Sequence, residues 1–154
     1  MELQDFLSPS LIYTDLVAQD KEDALRVMAQ HLAAAKPSLD AEVLLQLLLE
    51  RESLSTTGIG FGVAVPHCKS DQVQDLTILV ARSLEGIDFQ ALDGQPCRLF
   101  FLLIAPTQSS NTHLKALAKI ARFAKDAAMR EGLLAQTDPG SLLRFIAEQE
   151  QRFN

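Results

Sequence analysis

The sequence predicts an α/β fold: a sandwich in which helices cover a central sheet, formed as a single domain across residues 1–154. Helical periodicity marks both ends of the chain. Between them lie glycine-rich turn signals and two short, continuous apolar runs of strand character. The scale fits as well: 154 residues, 47% apolar and 22% charged, have the composition of a globular domain. A chain of this length buries ~68–70% of its unfolded surface, so its core needs neither metal nor disulfides, and disorder is excluded as the main state.

The first helix opens at Asp20, an N-cap residue followed by Leu25, Met28, Ala29 and Leu32 at helical spacing, and Pro37 stops it. Asp40 caps a second helix whose stripe of Val43, Leu44, Leu47 and Leu48, widened by Leu45 and Leu49, predicts broad burial. From Thr56 to Pro66 the glycines at 58, 60 and 62 favour loop and short strand. Leu76–Ala81 and Arg98–Ile104 read as central strands covered on both faces, with Asp93-Gly94 as a tight turn between them and Pro106 closing the second. Ser109, Ser110, Asn111 and Thr112 offer N-caps for a helix through Leu114, Leu117, Ala118 and Ala121. Asp126 caps a shorter helix through Leu133 and Leu134. Asp138-Pro139 opens a last one with Leu142, Leu143 and Ile146.

Several function classes drop out on composition. The longest uninterrupted apolar run, Leu99 to Ala105, is far short of the ~20 residues of a membrane-spanning helix. The acidic N-terminus lacks the basic flank and apolar stretch of an export signal. Two cysteines, Cys68 and Cys97, make no disulfide framework in a domain this size, so the expected location is the cytoplasm. A net charge of −6 without a lysine or arginine cluster argues against nucleic acid and anionic lipid as partners.

Of three histidines, two invite chemistry. His67 follows Val65-Pro66, where the restriction before proline and proline's fixed φ hold the chain extended and present the ring. An imidazole, with a reference pKa of ~6.5, keeps one bare nitrogen at neutral pH while the other is anchored by a hydrogen bond. Such a nitrogen can attack phosphorus; the plain alternative is a histidine packed at a strand end. His113 stands at the expected first turn of a helix, where unpaired N–H groups and the positive dipole end attract an anion; alone it reads equally as an exposed first-turn residue. Arg51 offers a fork of donors to phosphoryl oxygens, or a surface ion pair. His31 lies off its helix's apolar stripe and is expected at the surface.

The glycines of Gly58-Ile59-Gly60-Phe61-Gly62 lack the spacing of a dinucleotide fingerprint, and no Walker lysine-serine pair follows. They either let backbone amides approach a phosphate or supply conformations that other residues resist. A zinc site from Cys68, Cys97, His67 and His113 is disfavoured, since neither C-x-x-C nor H-x-x-x-H is present.

Together, Arg51-Glu52-Ser53-Leu54-Ser55-Thr56-Thr57-Gly58-Ile59-Gly60, Val63-Ala64-Val65-Pro66-His67-Cys68-Lys69 and Thr112-His113-Leu114, preceded by Phe101–Pro106, strongly resemble the IIA domain of the mannitol/fructose class of the bacterial phosphotransferase system (PTS). The likeness runs over nearly the whole chain, with a motif-bearing core at about residues 51–125. It leans toward the stand-alone nitrogen-regulatory type through the Ser-Thr-Thr-Gly-Ile-Gly stretch and the region from Ile87-Asp88-Phe89 to Asp93-Gly94-Gln95-Pro96. The resemblance implies a mixed sheet flanked by helices. It also implies a phosphotransferase in which His67 accepts a phosphoryl group from the phosphohistidine of an HPr-like carrier, itself charged through an enzyme I using phosphoenolpyruvate. His113 and Arg51 would surround that group, with Thr112 and the glycine-loop amides as lesser candidates. Neither nucleotide nor metal is required, because phosphoryl transfer chiefly asks a protein to position groups and stabilise charge. One departure stands out: Cys68 occupies a position where many relatives have glycine, a strained choice if φ there is positive.

The implied role is a phosphotransfer protein that reports nitrogen or carbon status through protein partners. A close variant passes phosphate to a IIB protein during sugar uptake. A different class of reading is a binding module that keeps the fold but regulates a kinase or transporter without carrying phosphate.

Overall fold

A computed structural model describes residues 1–108 and 111–153. The expected caps at Ser109 and Ser110 lie outside the described residues. Asp20, Asp40, Asp126 and Asp138 each close a helix start, their carboxylates accepting the N–H groups of Asp23, of Glu42 and Val43, of Met129 and of Ser141. The helices they open are α1 (Lys21–Ala35), α2 (Ala41–Leu54), α4 (Ala127–Ala135) and α5 (Pro139–Glu150). The helix α3 (Thr112–Lys125) has Asn111 as its cap residue, without a side-chain capping bond.

Strands β5 (Thr77–Ile87) and β6 (Cys97–Ala105) pair antiparallel at the centre of a six-stranded sheet. The expected tight turn is present, with Gly94 at φ +73 and its N–H donating to the Ala91 carbonyl. β5 outruns its apolar stretch because the Arg82 guanidinium is buried, donating to the carbonyls of Thr14 and Leu134. β1 (Ile12–Tyr13), too short to show a period, runs parallel to β5 at one edge. At the other side β2 (Gly58–Gly60) pairs antiparallel with β3 (Val63–Ala64). β3 and β4 (His67–Lys69) lie end to end along the same side of β6, both parallel to it and in the same register: Val63 faces Leu99 and His67 faces Leu103. The sheet is therefore mixed.

Alternation along the strands splits the core in two. Leu79, Ala81, Phe100, Leu102 and Ile104 pack under α1 and α2, while Ile78, Val80, Leu99, Phe101 and Leu103 pack under α3, α4 and α5. Two expectations need correction. Val43 is exposed, because the face of α2 turned to the sheet is centred on Leu44, Leu45 and Leu48. His31 is half-buried, its ring stacked on Tyr13 at 4.4 Å, a contact that β1 supplies. Among the described residues, no helix is long and apolar enough to cross a membrane.

Candidate active site

Pro66 links the two segments that share the side of β6, and its carbonyl accepts the Leu103 N–H at 3.0 Å. On the outer side, Val65 still donates to Thr57, and beyond it β4 carries the edge of the sheet. His67 is thus presented at an edge, half-buried. Its Nδ1 lies 2.8 Å from the Val65 carbonyl oxygen. A carbonyl only accepts, so Nδ1 carries a proton, and in the neutral ring the lone pair is on Nε2.

This ring opens on a cavity of about 480 Å³, walled by α2, by the first two turns of α3, by β4 and by the end of β6. Arg51 and His113 line it with His67. Arg51 sits in the last turn of α2, its Nη1 donating to the Ser55 carbonyl at 3.1 Å and to Ser55 Oγ at 3.4 Å. His113 is the second residue of α3, at the positive end of a 14-residue helix dipole. Three of the four residues singled out from sequence therefore share one cavity. Thr112 lines a neighbouring depression of about 260 Å³ with Gln74, Asp75 and Gln108, and His113 borders both.

The glycine loop is engaged elsewhere. The Gly58 carbonyl accepts from Leu92, Phe61 donates its N–H to Asp93, and the Gly62 carbonyl accepts from Arg98 and Leu99. Gly60 and Gly62 adopt φ +103 and +76, as expected of glycines chosen for their conformational range. None of the three lines the His67 cavity.

Sequence reading gave no site role to the other side chains of the wall: Leu47, Leu114 and Leu117, assigned to the apolar stripes of their helices, and Glu50, Leu54 and Lys69. A signal for the α2 residues existed. Leu47, Arg51 and Leu54 recur at helical spacing on a second face of a helix whose buried stripe is already complete. Leu54 and Leu114 are largely exposed, so apolar side chains frame the polar centre.

Cys68 points toward the α2 side of the core, and its φ is not positive. The feared strain is absent. Burial pushes its thiol up to about 12, and burial reinforced by Asp93 does the same to Cys97. Both stay protonated at neutral pH and are poor metal ligands or nucleophiles. Among the described residues, no cluster of three or more histidine, cysteine or acidic side chains could hold a metal ion.

An imidazole presented at a sheet edge lines one cavity with a guanidinium and a helix start, an arrangement with the parts that phosphoryl transfer asks for, and comparison with known proteins gives the chain its family. Residues 5–149 match the family "Phosphoenolpyruvate-dependent sugar phosphotransferase system, EIIA 2", and the chain belongs to it: it is a phosphotransferase component of this system. It is 37% identical to a nitrogen regulatory protein of Bradyrhizobium diazoefficiens over 147 residues, 96% of this chain and 95% of the relative. It is also 37% identical to a fructose-specific EIIA component of Haloferax volcanii over 128 residues, 83% of each. The crystal structure of the nitrogen regulatory protein IIA-Ntr from Neisseria meningitidis superposes with a TM-score of 0.85 at 28% identity, covering 94% of this chain and 98% of that one.

Proposed function

We propose that Nε2 of His67 is the phosphoryl acceptor and donor. The observation that carries this reading is the Nδ1–H bond to Val65, which leaves Nε2 as the nucleophile in a cavity shared with Arg51 and His113. In the step, the Nε2 lone pair forms the new P–N bond as the P–N bond of a carrier phosphohistidine breaks, and the carrier imidazole recovers that electron pair. The His67 ring becomes cationic, and the Val65 carbonyl, already bonded to Nδ1–H, stabilises it. Arg51 offsets charge on the equatorial oxygens, and His113 donates a hydrogen bond to them. Thr112 is a lesser candidate, reached through the depression that His113 borders.

The donor in this reading is an HPr-like phosphocarrier protein. Leu54 and Leu114, exposed on either side of the cavity, give it an apolar surface to close on. The protein works in the cytoplasm as one domain over residues 1–154, with residues 51–125 bearing the site, and its phosphorylation state regulates protein partners such as a kinase or transporter. The names of the nitrogen regulatory relatives support the regulatory role. A second reading, delivery of phosphate to a IIB protein for sugar uptake, is favoured by the fructose-specific relative of equal identity.

The test supplies enzyme I, an HPr-like carrier and labelled phosphoenolpyruvate to the wild-type protein and to His67→Gln. Acid-labile label is expected on the wild type and none on the variant. Unlabelled wild type with competent carriers overturns the proposal in favour of a binding module. Onward transfer of label to a IIB protein distinguishes sugar uptake from regulation.

A further inference from the structure

Glu52 follows Arg51 on α2, so its side chain leaves the helix ~100° further round. That side chain is 5% exposed, and its carboxylate accepts the Thr57 N–H at 3.0 Å, the Thr57 hydroxyl, and Lys21 Nζ at 2.7 Å. Lys21, the first residue of α1, also donates to Thr56 Oγ1 at 3.2 Å and stands 4.8 Å from the centre of the Phe89 ring. Thr56 Oγ1 in turn accepts the Gly58 N–H and donates to the Phe89 carbonyl. An acid–base pair with so little solvent is costly to desolvate and is a weak way to gain stability. Its location is informative: the chain leaving α2 is gripped twice, by Arg51 at Ser55 and by Glu52 at Thr57.

We propose that Glu52, held by Lys21, is a positioning residue for phosphoryl transfer: by anchoring the chain at Thr57 it fixes Ser55, the group on which Arg51 rests, and so sets the aim of the guanidinium beside His67. This rests on the reading of Arg51 given above. Glu52 touches no phosphoryl group. It acts through the backbone from residue 55 to 57, and displacements of about 1 Å in such a support can slow a reaction ~100-fold.

The experiment measures phosphorylation of the full chain by phosphoramidate, a small donor that removes carrier docking from the rate. Its P–N bond breaks as Nε2–P forms, and its nitrogen, already bearing three hydrogens, departs with the bonding pair as ammonia. Rates are taken per folded protein, with urea midpoints measured alongside. Arg51→Ala is expected to slow phosphorylation about 100-fold, as removal of a preorganised charge stabiliser does, and Glu52→Ala about 10-fold or more. In the Arg51→Ala background, Glu52→Ala should add nothing, because its effect passes through the missing guanidinium. The pair Lys21→Met with Glu52→Gln keeps an acceptor for Thr57 without buried charge and should restore a rate near wild type. A merely structural Glu52 would instead lower the urea midpoint and leave the rate per folded molecule unchanged. Glu52→Ala at the wild-type rate, or slowing that multiplies with Arg51→Ala, overturns the role of Glu52 alone. Arg51→Ala at the wild-type rate refutes the site reading and this inference with it. If Glu52→Ala does not fold, the pair Lys21→Met with Glu52→Leu, which removes every bond to Thr57 without leaving a buried charge, supplies the same cycle with the same deciding outcomes.

Discussion

Replacing Lys119 by methionine removes the counter-charge of the most buried carboxylate described. Glu150 is fully buried in the last turn of α5; Oε2 accepts from Leu3 N at 2.7 Å and Lys119 Nζ at 3.0 Å, and Oε1 accepts from Gln4 N at 3.0 Å. Lys119, on α3, also donates to the Met1 carbonyl at 2.7 Å, so one cluster ties the N-terminal 3₁₀ turn (Leu3–Phe6) to both helices. Methionine keeps the bulk of the stem but leaves the carboxylate with two backbone donors. Breaking a buried pair from one side costs about 3–5 kcal/mol. With a urea m-value of ~2 kcal/mol per molar, inside the usual range, the unfolding midpoint should fall by about 1.5–2.5 M. The double variant Lys119→Met/Glu150→Gln removes this ion pair and keeps one acceptor, while Glu2, 3.8 Å from Lys119, keeps its charge, so the double variant should regain part of that loss. Urea unfolding followed by circular dichroism reads both. A loss below about 1 kcal/mol in the single variant, well under what an abandoned buried charge demands, would refute the reasoning, as would a double variant less stable than the single.

Two further outcomes follow from the same geometry. Cys68 and Cys97 hold their protons up to about 12 in the folded chain, whereas an unfolded thiol ionises near ~8.5. The unfolded state therefore binds fewer protons between these values, and stability should fall as pH rises through that window, by roughly 1 kcal/mol per pH unit per thiol. It should be fully present below the window, and Cys68→Ser should flatten the alkaline limb of a pH–stability curve; an unchanged limb counts against burial as the cause. Gly58→Ala should destabilise by about 1–3 kcal/mol in thermal unfolding, because the new Cβ would lie 2.8 Å from the Ala91 Cα, a backbone atom that cannot swing away. A neutral result would show that the loop beside β2 yields easily.

Much of the site was legible because its parts are local. Proline before His67 dictates an extended approach, and a helix start after Pro106 puts His113 at a dipole end, so residue types and neighbours sufficed to nominate both. Arg51 was legible through resemblance and could have been found by the second apolar face of α2. Thr112 was nominated through the resemblance, yet the helical turn carries it toward Gln74 and Asp75. The glycine loop looked like a phosphate cradle because spacing says nothing of direction; the Gly58 and Gly62 carbonyls accept from residues 92, 98 and 99, and the Gly58 and Phe61 amides donate to Thr56 and Asp93. β1 escaped notice because two residues have no period, and His31 was misjudged with it, since its Tyr13 partner lies on that strand.

Composition, capping carboxylates and apolar runs determined by themselves that this chain folds as helices around a sheet, and which imidazole its backbone would present, since these depend on each residue and its close neighbours in the chain. Only the tertiary structure decided that β3 and β4 lie in one register along β6, that Cys68 is unstrained, and that Glu52 reaches Lys21 and Glu150 reaches Lys119. Those partners are distant in sequence and meet only when packing closes the loops between them, and loop closure leaves no periodic trace in the order of residues.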